Sequence, residues 1–335
     1  MWLENSWYAV AFADAVKDEP IAVTALDQKL VLFRGESGEI TALADRCPHR
    51  GVPLSYGKVL GNDLRCGYHG LRINSEGVCV KIPCQTQIPS QARVRRYPLE
   101  VKYKLVWVWM GKAELADPSK IPDFHYMDDP EWVTCTGYHH VKANYQLLND
   151  NLLDLSHESY VHDTTIGNDA VAEAPASMTR SDNEVRVHRD ILNAEPPAFY
   201  IKATGFTENI NRWHTTIFTP PGNHVIENGS YPATGSRDQA LERRVMHVLT
   251  PATETTTHYF WGVSRQYARD DAELTEYIRQ QIAETFDQDA EILELQQSSI
   301  GAEGSAFPIA LVTDAGPVQA RRMLSQLIAR EAAQA

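Results

Sequence analysis

Two short boxes constrain this chain more than any other feature: Cys47-Pro-His49 and Cys66-Gly-Tyr-His69, with sixteen residues between them. Two thiolates and two imidazoles are a sufficient ligand set for one zinc ion. They are equally the set for a [2Fe–2S] cluster in which two His replace two Cys on one iron. Zinc fingers usually keep Cys with Cys and His with His. Here each box offers one sulfur and one nitrogen from a single tight turn, which favours the two-iron cluster over zinc. Gly51 and Gly70 close the two boxes and let the backbone approach the bridging sulfides.

The surrounding sequence reads as β. Ile21–Leu26, Lys29–Phe33, Ile40–Ala44 and Leu105–Met110 are apolar, β-branched or aromatic runs, separated by turns such as Gly35-Glu36-Ser37-Gly38. This pattern predicts a small barrel or sandwich. The polar, Pro-containing stretch Gly111–Pro122 is the natural boundary, giving residues 1–116 and 117–335 as two domains, which suits a chain of 335 residues. A strand-like segment (Trp132–Val141), a helical one (Tyr145–Val161), a β-rich middle (Val185–Val263), a long helix from about Asp270 and an amphipathic last helix (Val318–Ala333) follow. The expected class is α+β.

Charge is uneven. Residues 1–112 carry 15 Lys+Arg against 11 Asp+Glu, and the remainder 16 against 33, for a net charge of −13. Two modules with different partners fit this asymmetry, and Arg93, Arg95 and Arg96 make the first a docking face for an acidic protein. Nothing in the sequence has the basic, aromatic-interleaved character of a nucleic-acid binder. No run approaches the roughly 18 apolar residues of a membrane helix, and the first twenty residues lack a cleavage pattern. Five cysteines, an odd count with metal-like spacing, point to the cytoplasm. Cys79, Cys84 and Cys135 read as packed or idle thiols.

A second metal site is encoded downstream. In Asn151-Leu-Leu-Asp154-Leu-Ser-His157-Glu-Ser-Tyr-Val-His162, helical periodicity puts Leu147, Leu148, Asn151, Asp154, Leu155, Glu158 and Val161 on one broad face. Asp154 is then expected to point inward, where a carboxylate is costly without a partner. His157 and His162 are about 140° and 7.5 Å apart on a straight helix, so they share an ion only if the helix is broken or bulged between them. A carboxylate would complete a 2-His-1-carboxylate triad. On the helix from Asp270 the apolar stripe is Leu274, Ile278, Ile282, Phe286, Ile292 and Leu293. Asp289 falls inside it and Asp287 on the opposite face, so periodicity selects Asp289.

Together these residues resemble a Rieske non-heme iron oxygenase α (terminal oxygenase) subunit of the vanillate O-demethylase and dicamba monooxygenase type, over nearly the whole chain. The resemblance rests on Asn5-Ser-Trp7-Tyr8, the two boxes, Leu105-Val-Trp107-Val-Trp109, the Asp154/His157/His162 run with Thr165-Ile166-Gly167, Tyr259-Phe260-Trp261-Gly262, Asp289, and Asp314-Ala-Gly316 with Gln319-Ala-Arg321. Respiratory Rieske proteins carry an extra cysteine in each box, where this chain has Val52 and Tyr68. The resemblance implies a Rieske β domain and a catalytic domain with an antiparallel sheet covered by helices, helix-grip-like. It implies a Rieske cluster on Cys47, His49, Cys66 and His69, and mononuclear Fe(II) on His157, His162 and Asp289. It further implies a homotrimer in which Asp154 accepts a hydrogen bond from His69 of the adjacent subunit and holds His157, with Asn151 supporting the iron site. Electrons would come from a separate flavin- or ferredoxin-type NAD(P)H-dependent reductase. The implied reaction is O-demethylation of a methoxylated aromatic acid with O2; aryl-methyl or ring hydroxylation is the alternative. His247 resembles a position that contacts the substrate carboxylate, and its plainer reading is a strand histidine bonded to backbone. From another class, a Rieske electron carrier would have the cluster and no catalytic iron, and the Asp154/His157/His162/Asp289 set separates the two.

Overall fold

The computed structural model describes residues 1–163, 165–301 and 309–334. It is α+β, with two compact units: Trp2–Ile121, and Pro122–Ala335 together with Met1. Residues 117–121 stay with the first unit. The Trp7 indole donates to the Asp117 carbonyl at 2.8 Å, and Ile121 is buried.

The first unit is a set of small antiparallel sheets. One orders β2 (Ile21–Ala25), β3 (Gln28–Arg34) and β4 (Ile40–Ala44); another orders β1 (Trp7–Phe12), β10 (Leu105–Trp109) and β9 (Leu99–Lys102). A third orders β5 (Lys58–Leu60), β6 (Asp63–Arg65), β7 (Arg72–Ile73) and β8 (Cys79–Lys81). Strand β3 explains why its sequence is continuously apolar. Leu30 and Leu32 pack into one core with Val106 and Val108. Val31 and Phe33 point the other way, into a core that contains Cys47 and Cys66. A strand buried on both faces has no reason to alternate. The basic patch is less free than expected. Arg95 donates to the Met110 and Gly111 carbonyls and lies over Tyr97. Arg96 pairs with Glu76 at 2.8 Å, and Arg93 is exposed.

The second unit is built on one antiparallel sheet, in the order β11 (Val133–Val141), β17 (Thr256–Arg265), β16 (Leu241–Thr253), β15 (Asn223–Pro232), β14 (Ile210–Thr219), β13 (Val185–Ala194) and β12 (Ala176–Arg180). Helices α1 (Tyr145–Leu153), α4 (Ala198–Thr204) and α5 (Ala272–Ile300) share its core through Leu148, Leu152, Phe199, Ile278 and Phe286. Helix α6 (Ala315–Ala332) packs on α1 and β13, and Arg321 clamps Asp150 at 2.5 Å. Short helices α2 (Glu158–Val161) and α3 (Asp169–Glu173) complete the unit. No described helix is long and apolar enough to cross a membrane.

Sheet register lines up rows that the sequence alone does not reveal. Arg189, His214, Asn228, Arg243 and Arg265 lie side by side across β13 to β17. Two residues along, on the same face, Val187, Thr216, Ile226, Val245 and Val263 form a row that is apolar but for Thr216. Two further still come Val185, Phe218, His224, His247 and Trp261.

Two expectations need correction. The helix over Tyr145–Val161 is two helices, broken at Asp154–His157, ahead of His157 and not between the two His. The Ser156 backbone N–H and hydroxyl both donate to the Asp154 carboxylate, at 2.8 and 2.6 Å, and this local turn competes with the helix. Ile292, placed in the apolar stripe of α5, is 45% exposed, because the buried side of the helix there follows Asp289, Leu293 and Gln297 and leaves Ile292 at its edge.

Candidate metal centres and cavity

The two cluster boxes are built alike. The first follows β4, and the second is the turn from β6 to β7. In each, the cysteine N–H donates to the carbonyl five residues on: Cys47 to Val52, and Cys66 to Leu71, both at 2.8 Å. The glycine N–H returns to the cysteine carbonyl, Gly51 to Cys47 at 2.9 Å and Gly70 to Cys66 at 3.1 Å. This closure needs a left-handed residue, and Gly51 and Gly70 have φ of +72° and +73°. Cys47 and Cys66 are buried while His49 and His69 are exposed, their ring centroids 4.6 Å apart. Burial pushes the Cys47 thiol pKa up, and the neighbouring Cys66 adds to it. The sulfurs sit on the core side and the imidazoles on the surface side, which fits a cluster with one sulfur-ligated and one nitrogen-ligated iron. A single zinc would draw all four donors to one point, and among the described residues these four do not gather within 4.8 Å.

One group of three does gather. Ligand atoms of His157, His162 and Asp289 lie within 4.8 Å of one another. Asp289 Oδ1 stands 3.4 Å from His157 Nε2 and 3.2 Å from His162 Nε2. Ligands about 2.1 Å from an ion and at right angles are ~3 Å apart, so an ion fits with little movement. One turn of helix, α2, separates the two His, with His157 at its start and His162 unwinding at its end (φ −113°, ψ 31°). Their ring centroids close to 5.2 Å. Gly167 lets the following turn fold back on α2, where a β-carbon would lie 2.3 Å from the Glu158 carbonyl.

Each imidazole is aimed from behind. His157 Nδ1 bonds the Asp154 carbonyl, and His162 Nδ1 bonds Gln288 Oε1 at 2.8 Å. Both Nδ1 atoms face acceptors, so Nδ1 carries the proton and Nε2 keeps its lone pair for a metal. Asn151 Nδ2 donates to Asp289 Oδ1 at 2.9 Å. Burial opposes ionisation of Asp289, yet with protons on the ring nitrogens in place of a metal, His157 and His162 hold its carboxyl well below the usual range. Asp287, by contrast, is exposed and pairs with His139 at 3.0 Å.

Asp154 differs from expectation. It is half-buried, its side chain caps the break through Ser156, and it reaches His157 through its backbone carbonyl and not its carboxylate. The inward carboxylate of this segment is Glu158. It is 5% exposed, pairs with Arg189 at 2.8 Å and His214 at 3.0 Å, and stays ionised despite burial because those partners pull its pKa down. Gln288, Arg189 and His214 carry no motif. Only the register of β13 and β14 and the turn of α5 bring them here.

Beside α2 and α5 lies a cavity of about 60 Å3, lined by Glu158, Phe199, Tyr200, Arg212, Asn228, Arg243, His247, Thr285 and Phe286 among others. His247 is fully buried. Its Nδ1 meets the Tyr259 hydroxyl at 2.7 Å, a side-chain partner and not the backbone one of the plainer reading. Its Nε2 has no partner. Burial drives its pKa down to about 3, so the ring is neutral at ordinary pH.

Residues 6–98 match the family model described as Rieske [2Fe-2S] domain, and residues 141–330 match that of the vanillate O-demethylase oxygenase C-terminal domain. The chain is 36% identical to the vanillate O-demethylase oxygenase subunit of a Pseudomonas sp., covering 99% of this chain and 96% of that one. It is 37% identical to a putative toluene-4-sulfonate monooxygenase system iron-sulfur subunit of Comamonas testosteroni, covering 99% and 98%. The crystal structure of dicamba monooxygenase bound to 3,6-dichlorosalicylic acid superposes with a TM-score of 0.94 at 32% identity, covering 99% of both chains. With a cluster-fitting pair of loops and a mononuclear metal triad on one such chain, it belongs to the Rieske non-heme iron oxygenases, as the oxygenase component of a monooxygenase system with a separate reductase, and its cofactors are a Rieske [2Fe–2S] cluster and mononuclear iron.

Proposed function

We propose that the chain O-demethylates a methoxylated aromatic acid, with Cys47, His49, Cys66 and His69 holding the cluster and His157, His162 and Asp289 holding the iron. The observation that carries this reading is the triad together with an aromatic-lined cavity next to it along the chain, reached through Glu158 of α2 and Thr285 and Phe286 of α5. When bound, the two groups supply single-electron transfer and O2 activation, the chemistry that places one oxygen atom on a methyl carbon. A hydroxylated methoxy carbon is a hemiacetal, and its collapse gives a phenol and formaldehyde.

The protein's own part is positional. Asn151 orients Asp289, while Gln288 and the Asp154 carbonyl fix the imidazoles. Phe286, Ile226 and Val245 keep the cavity apolar and exclude water. His247, neutral and backed by Tyr259, offers Nε2 to a polar group of the substrate. The working unit is a homotrimer in the cytoplasm, where NAD(P)H feeds the partner reductase. Exposed His69 donates to Asp154 of the adjacent subunit, the Ser156-capped carboxylate beside His157.

Aryl-methyl hydroxylation is the second reading, and the relative named for toluene-4-sulfonate favours it. Turnover of 4-methoxybenzoate and 4-methylbenzoate with a compatible reductase separates the two. Formaldehyde from the first substrate supports demethylation. A hydroxymethyl product from the second, with no formaldehyde from any methoxy acid tried, replaces it.

A further inference from the structure

Arg189 and Arg265, at the two ends of the polar row, do not line the cavity; each leaves Nε without a partner but directs its terminal nitrogens to protein acceptors. Arg189 donates to Glu158 and to the Leu155 and Val171 carbonyls. Arg265 donates to two carbonyls and the Thr275 hydroxyl. The arginines that reach the cavity are not matched. Arg243 is 3% exposed. Its Nε donates to Asn228 at 3.1 Å, its guanidinium lies 4.9 and 4.8 Å from the Phe199 and Tyr200 ring centroids, and Nη1 is buried with no partner. Arg212 is 4% exposed. Its Nη1 donates to the Ile166 carbonyl at 3.2 Å, its guanidinium lies 4.7 Å from the Tyr200 centroid, and Nη2 is buried with no partner. Glu158, the carboxylate on this cavity, pairs with Arg189 and His214, and among the described residues neither Arg212 nor Arg243 is in an ion pair with it.

Two buried cations on one tyrosine ring repel each other. The ring faces offset part of the desolvation but accept none of the unpaired N–H groups, and a buried charge without an anion is costly. Guanidinium forks match the geometry of an oxyanion. His247, the other unpartnered group on this cavity, is neutral and brings hydrogen bonding without charge.

We propose that Arg212 and Arg243 bind an oxyanion of the substrate and restrict this chain to aromatic substrates bearing a carboxylate or sulfonate. His247 is then left to contact a different polar group. This rests on the cavity being the substrate site, as argued above for demethylation, but not on which bond is oxidised.

Equilibrium binding to the iron-loaded holoenzyme, read by calorimetry, tests it with 4-methoxybenzoate, 4-methoxybenzenesulfonate and the neutral 4-methoxybenzamide. The wild type is expected to bind at least one anion tenfold or more tighter than the amide, and the tighter of the two identifies carboxylate or sulfonate as the group taken. Arg243→Gln should erase that preference by weakening the anion at least tenfold while leaving the amide within about twofold, and Arg243→Lys should restore part of it. Equal wild-type affinity for anions and amide overturns the proposal, as does a glutamine variant that weakens all three alike or none. If the variant does not fold, the wild-type comparison alone decides. Anion preference without formaldehyde release defeats the demethylation reading and leaves the oxyanion site standing.

Discussion

At the scale of single residues, the site depends on side chains that do not touch the metal. Gln288 touches no iron ligand atom, yet it accepts the Nδ1 proton of His162 and so sets which nitrogen faces the ion. Gln288→Leu should lower iron affinity by about 10–100-fold, the usual cost of losing such a support, with the cluster absorption unchanged. Iron titration of the apoprotein measures this, and wild-type affinity in the variant would show that His162 is oriented by packing alone. Asp289 was legible because 100° per residue puts it on the buried face of α5 and Asp287 on the wet one. Gln288, beside it in sequence, was not. Its partner lies 126 residues away, and nothing local marks a helical glutamine as the support of a distant imidazole. The same holds for Glu158. Its inward direction was readable, but its partners Arg189 and His214 come from two other strands.

At the scale of elements, the break between α1 and α2 matters most. Periodicity read one continuous helix because every residue from Tyr145 to Val161 tolerates helix. The Asp154-Leu-Ser156 turn overrides that, and an Asp followed two residues later by Ser was the available local signal. The break turns the Asp154 carbonyl onto His157 while its carboxylate stays half-exposed. Asp154→Asn keeps an oxygen for the Ser156 donors, so the cap and the iron site should survive. Without the negative charge, single-turnover electron transfer from the reduced cluster should slow at least tenfold at full iron content. An unchanged rate would remove Asp154 from the path between subunits. The strands, by contrast, were easily read: Ile40–Ala44 and Leu105–Trp109 lie where β-branched and aromatic runs put them, because their local preference and their burial agree.

At the scale of the whole molecule, two metal chemistries sit on one chain, and each is prepared by its own unit. The first unit presents a cluster with its imidazoles toward solvent. The second brings together a largely buried triad, a cavity beside α2 and α5, and two buried arginines that line it. The geometry of the two boxes was legible in the sequence, because the spacing within a loop is local. The cavity was legible only as a region, since the alignment of Arg243 with Asn228 and His214 is a matter of register between strands. The central claim is that these are separate centres, the cluster relaying electrons to a catalytic iron on His157, His162 and Asp289. Electron paramagnetic resonance of reduced protein exposed to nitric oxide tests it most directly, in wild type and in His162→Ala. The expected result is a Rieske signal in both, with a high-spin ferrous nitrosyl signal in the wild type alone. A nitrosyl signal that persists in the variant, or a cluster signal lost with it in folded protein, would contradict the two-centre account.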